Sequence, residues 1–112
     1  MLLAVSVMSS AETHDYSRQL YEQAVLGDGE AMFQLSKCYL NGNGVEKDYD
    51  KSDYWLERAA EKGQPKAVAA IKAMGGKTYL SDANRRQLAA EEKRERKRLE
   101  EERENNAAPV VL

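Results

Sequence analysis

Cysteine and histidine are nearly missing from this chain, and their scarcity removes several kinds of chemistry at once. Among 112 residues there is one cysteine, Cys38, and one histidine, His14. A lone cysteine forms no intramolecular disulfide and no thiolate cluster, and a lone histidine does not build the usual zinc sites. No cofactor and no metal are expected. β-Branched residues are scarce beside Ala, Glu, Lys, Leu, Gln and Arg, which points away from sheets and toward an all-α chain. No apolar run approaches the roughly 20 residues needed to cross a bilayer, so no stable membrane span is expected. The net charge of -2 supplies no field that would draw in a nucleic acid. What is present is tyrosine, six residues against one tryptophan and one phenylalanine, and a block of charge packed after residue 90.

The length allows one small domain. Its first eleven residues are apolar and small, from Met1 to Ala11. They read as the end of a secretory signal, with Leu2 to Met8 as its apolar region and cleavage before Glu12. No basic residue precedes the apolar run, and an unstructured N-terminus is the alternative. The chain is accordingly expected to be exported, periplasmic or secreted, with a cytoplasmic location as the other option.

Sliding the sequence against itself by 36 residues pairs Leu20 with Leu56, Ala24 with Ala60, Gly27 with Gly63, Ala31 with Ala67 and Leu35 with Ile71. A recurring set of small and large apolar residues at one period is the mark of stacked structural repeats. Within a period, Ala31, Leu35 and Tyr39 recur every four positions and share a helix face, with Met32 beside them. The run stops at Asn41-Gly42-Asn43-Gly44, where glycine accepts left-handed backbone angles. Asp48 is placed to cap a second helix bearing Tyr49, Ser52, Leu56, Ala59 and Ala60 on one stripe, flanked by Trp55. Gly63 ends that helix, and Gln64-Pro65 opens the next, proline suiting a first helical position. Upstream, Tyr16, Leu20 and Ala24 form the second helix of a preceding unit, and Asp28 caps the helix that follows. Downstream, Ala67, Val68, Ile71 and Met74 form a first helix ended by Gly75-Gly76, and Ser81 is a candidate cap for a last helix. The pattern predicts five helices stacked as antiparallel hairpins.

The stretch from Ala31 to Ala67 resembles a Sel-like (Sel-one) repeat, a branch of the tetratricopeptide-type helical repeats. The resemblance rests on Ala31, Leu35, Tyr39, Gly42-Asn43-Gly44-Val45, Asp48-Tyr49, Lys51, Trp55, Ala59-Ala60, Gly63 and Ala67. Ser36 and Ser52 stand where that family usually has glycine and alanine. The flanking half-repeats extend the likeness over roughly residues 16 to 76. It implies a short α-solenoid of antiparallel helix hairpins and a protein-binding, adaptor or scaffold role without catalysis. It also implies that the first helix of each unit lines the inner curve, which would place Glu30, Phe33, Lys37, Leu40 and Asn41 there, with Lys66 from the next unit. Phe33 is the expected anchor, since exposed aromatics often carry interfaces; packing against the final helix is its alternative role. Some relatives pair cysteines between helices and are linked to cell-wall ligands, a pattern from which the lone Cys38 departs. An exported cell-wall-ligand-binding or hydrolytic protein is the competing reading, and a remnant of a longer repeat protein is a third.

From Glu91 to Glu104 every residue but Leu99 is charged. Opposite-charge and like-charge pairs at helical spacing are nearly balanced there, so charge pairing adds little to helix formation. The expectation is a helix starting near Asp82, anchored by Ala83 and Leu88, that frays beyond Arg98 as a solvated arm. Truncation after Ala90 should then leave the fold intact. The division expected is residues 1–11 as leader, 12–80 as repeat domain, 81–105 as a long charged C-terminal helix acting as a cap, and 106–112 as an unstructured tail.

Other candidate sites have simpler explanations. The basic cluster at Lys93, Arg94 and Arg96 to Arg98 has acidic neighbours and no interleaved aromatics, so no RNA site is expected. The Gly42-Asn43-Gly44 loop lacks the Lys-Ser/Thr of a phosphate loop and reads as a turn. His14 reads as a surface residue and Cys38 as a structural thiol. The carboxylates are expected on solvent faces, with none held apart from water as acid–base catalysis requires. The expected partner is a protein or peptide, with self-association as a second way to cover exposed end faces.

Overall fold

Four polar side chains set the helix starts. Asp28 accepts a hydrogen bond from the Ala31 amide at 3.1 Å, and Asp48 does the same for Lys51 at 3.0 Å. The Gln64 side chain accepts from Ala67 at 2.7 Å, and Ser81 from Asn84 at 3.2 Å. Each satisfies an amide that the first turn of a helix leaves without a partner. The computed structural model describes residues 10–107, and among these are five helices and no strand: α1 (Ser10–Val25), α2 (Gly29–Asn41), α3 (Tyr49–Glu61), α4 (Pro65–Ala73) and α5 (Asp82–Ala107). The proposed leader falls almost entirely outside the described residues, as do residues 108–112.

The 36-residue period is visible in the turns. After α1, Gly27 donates to the Ala24 carbonyl and Asp28 to that of Gln23; after α3, Gly63 donates to Ala60 and Gln64 to Ala59. Both glycines sit at positive φ, 106° and 80°, where a side chain would be strained. Identical turns deliver α2 and α4 in the same way, and the hairpins stack: α1 on α2, α2 on α3, α3 on α4. The core runs along this stack, from Leu20, Ala24 and Val25 through Ala31, Met32 and Leu35 to Trp55, Ala59 and Ala67. Where α2 crosses α3, Ser36 and Ser52 bond reciprocally, each hydroxyl donating to the other's backbone carbonyl at 2.8 and 2.9 Å. These two departures from the family's small apolar residues are therefore buried without an orphaned polar group.

Two expectations about faces require correction. On α3 the buried set is Ser52, Tyr54, Trp55 and Ala59, while Tyr49 is exposed and Leu56 half-buried. The stripe is turned toward Trp55 because that ring packs edge-on against Tyr21 of α1 (6.1 Å) and Tyr54 (5.2 Å). On α4 only Ala67 is buried, and Val68 and Met74 are exposed, because no helix follows along that side.

Helix α5 departs from the solenoid path. It turns back and packs against α1 and α3, the second helices of their units. It also runs to Ala107 rather than fraying beyond Arg98, whose guanidinium pairs with Glu95 and, at 2.8 Å, with Glu102. The outer side of the stack is thus covered, and the first helices α2 and α4 keep their outward faces clear of it.

Candidate functional site

The six residues expected on the inner face occupy two helices. Glu30, Phe33, Lys37, Leu40 and Asn41 fall within about 100° of arc on α2 at 100° per residue, opposite the side of the buried Ala31 and Leu35 and the half-buried Tyr39. Phe33 is half-buried, its inner edge packed on the core. The Lys37 ammonium lies over its ring, 5.7 Å from the centroid, a cation–π contact. Leu40 is 47% exposed one turn further on. Asn41 is exposed, as is Lys66 in the first turn of α4. Glu30 ties the two helices together: its carboxylate accepts from Gln34 at 3.0 Å and from Gln64, the α4 cap, at 2.8 Å. Those hydrogen bonds, Gln34 first, hold its carboxyl below the ordinary range. The arrangement is a shallow strip with an apolar centre (Phe33, Leu40), a cation on each helix and a fixed carboxylate between them.

A second site was not foreseen in the sequence. Below α5 lies a cleft of about 270 Å³ whose walls include Tyr21, Tyr39, Tyr54, Trp55, Leu88 and Glu92. Glu92 is 3% exposed, against the expectation that every carboxylate of the charged run faces water. Tyr54 donates to one carboxylate oxygen at 2.6 Å and Arg58 Nε to the same oxygen at 2.8 Å. Arg58 Nη2 donates to the other at 3.0 Å, which the Arg96 guanidinium also contacts. Burial alone would raise the Glu92 carboxyl, but the Arg58 and Tyr54 hydrogen bonds and the two guanidinium charges outweigh it, and the net shift is downward. Arg96 Nε donates to the Val25 carbonyl at 3.0 Å, placing a cation on the C-terminus of α1. One carboxylate thereby fastens α5 to α3 directly and to α1 through Arg96.

The chemistry of this cleft is that of a clamp. A general acid at neutral pH needs a raised pKa, and Glu92 is moved the other way. The tyrosines are shifted upward, Tyr21 to about 12, chiefly because burial disfavours the phenolate. Cys38 is buried and burial likewise pushes its thiol up, consistent with a structural role. His14 is exposed at the mouth of the cleft. Among the described residues, no cluster of His, Cys, Asp and Glu is arranged to hold a metal ion, and no helix is long and apolar enough to cross a membrane. The only signal in the sequence for the clamp was the spacing of Leu88, Glu92, Arg96 and Leu99, one helical stripe within a run that otherwise looks uniformly solvated.

The chain matches none of the curated proteins and none of the solved structures with which it was compared. Residues 29–64 match the family model of the Sel1 repeat, a stretch that spans α2, its glycine turn, α3 and the cap of α4. The hairpin geometry and the sequence match coincide, and residues 29–64 form a Sel1-like repeat.

Proposed function

We propose that this chain is a non-catalytic protein-interaction module that holds a protein or peptide segment against the inner face of α2 and α4. Sel1 repeats are generally protein-interaction modules. The observation that carries the reading to this face is the course of α5: it covers α1 and α3, so the strip of Glu30, Phe33, Lys37, Leu40, Asn41 and Lys66 stays open. An apolar centre rimmed by charges of both signs suits an extended or helical segment whose apolar side chain sits between Phe33 and Leu40. The test is capture of partners from the native host by the full chain and by Phe33→Ala, Leu40→Ser and Lys37→Glu. Leu40 and Lys37 are exposed, so their variants keep the fold while losing capture. Unchanged capture by all three would refute the reading.

The aromatic cleft favours a second reading, an exported protein that binds cell-wall material, because tyrosine and tryptophan rings offer apolar faces with polar rims. Soluble glycan-peptide fragments of the wall would then shift the Tyr21 and Tyr39 resonances, and not those of Phe33.

A further inference from the structure

From the open edge of the stack we infer a second docking surface, in the groove between α3 and α4, that takes an acidic amphipathic helix of a partner protein. It lies apart from the inner face and stands whether or not that face binds. The groove is floored by Ala60, Val68 and Ile71 and rimmed by Lys72 and Lys77. Its occupant can be read from the repeat. At the 36-residue offset, Val68, Ile71 and Met74 are the counterparts of Met32, Leu35 and Cys38. In the complete unit those three are 0, 0 and 6% exposed, whereas Val68 is 45% and Met74 39% exposed. What covers α2 on this side is α3, an antiparallel helix presenting Ser52, Trp55 and Ala59. The helix that would cover α4 in the same way is absent, because α5 has been drawn off onto α1 and α3.

The charge is specific. Lys72 stands where the complete unit buries Ser36, so a plain copy of α3 would set a lysine against a serine. No carboxylate lies on α4. The acidic residues of the opposite rim are already occupied: Glu57 pairs with Arg85 at 3.0 Å and Glu61 with Arg58 at 2.8 Å. Among the described residues Lys72 and Lys77 have no ion-pair partner within the chain. An incoming helix therefore gains from an apolar stripe of small and aromatic residues beside carboxylates placed for Lys72. Among the described residues no free helix is of that kind: the exposed acidic end of α5 (Glu100 to Glu104) lacks an apolar stripe.

The test uses the full chain and two synthetic probes, the residue 48–62 segment of this chain and the same peptide carrying Ser52→Glu. Titration is followed by NMR of the Val68, Ile71 and Met74 methyl groups. Saturable shifts confined to these methyls and their neighbours are expected, with the Ser52→Glu peptide binding about two- to fivefold tighter at low salt. Val68→Glu on the protein, an exposed position that leaves the core untouched, should weaken binding about tenfold or more; Phe33→Ala should not. No shift at millimolar peptide, shifts spread through the core by displacement of α3, or equal affinity of the two peptides would overturn the proposal. So would concentration-dependent broadening at α4 without peptide, which would mean that a second copy takes the groove.

Discussion

Replacing Glu92 with alanine isolates the clamp that fixes α5. The substitution removes the acceptor for Tyr54 and for two guanidinium groups, leaving the phenol buried and Arg58 without its main counter-charge. Breaking a fully buried ion pair costs about 3–5 kcal/mol. Here the Arg58 side chain is 21% exposed and that of Arg96 36%, so water recovers part of the loss, and about 2–3 kcal/mol is the expected destabilisation. For a domain this size that corresponds to a fall in Tm of roughly 10–20 °C. Urea unfolding followed by circular dichroism measures it, and a Glu92→Gln variant, which keeps an acceptor for Tyr54 but no charge, should fall between. The pH dependence is fixed in sign. The folded carboxyl lies below its ordinary value of about 4.5, so its contribution is complete above that value and lost as the pH falls through the folded value. The gap between wild type and Glu92→Ala should therefore close in acid. A destabilisation under about 0.5 kcal/mol at neutral pH, or a gap that widens in acid, would refute the reasoning.

Truncation after Ala90 removes Glu92, Arg96 and the buried Leu99 together. The loss should be about 4–5 kcal/mol, a large part of a small domain's stability, and thermal melts of the shortened chain should show it as a broad, early transition. Tyr21, Tyr39 and Tyr54 all hold their protons more tightly when folded; stability should be intact below about pH 10 and lost as the pH climbs toward 12, with tyrosinate absorbance rising together with unfolding. Asp48→Ala removes the α3 cap and should cost about 1 kcal/mol by urea denaturation. The leader reading predicts that protein isolated from its host begins at Glu12, which intact-mass measurement checks.

The repeat stack was legible because its signals are local or periodic. Glycines needing positive φ, capping side chains and a recurring spacing of small and bulky apolar residues are each written in a few adjacent positions. Position α5 could not be read that way. Its packing depends on Glu92 finding Tyr54 and Arg58 some 34–38 residues away and on Arg96 reaching Val25, 71 residues away. In a charged run these residues look like their solvated neighbours, and only the i, i+4 spacing of Leu88, Glu92 and Arg96, with Leu99 three further on, sets them apart. The exposure of Val68 and Met74 follows from the same long-range choice. Their apolar character correctly signalled a helix face, while the sequence around them carried no sign that its covering helix goes elsewhere. The inner-face residues came from the resemblance to Sel-like repeats, and Glu30, Phe33, Lys37 and Leu40 do fall on one side of α2; the Glu30–Gln64 tie across to α4 depended on tertiary geometry.

Side-chain nuclear Overhauser effects from α5 decide where that helix lies in solution. The Leu88 methyls should contact the Tyr54 and Trp55 rings, and α5 should show none to Phe33, Leu40 or Val68. Contacts from α5 to those three residues would put it across the inner face or the open edge and contradict the account.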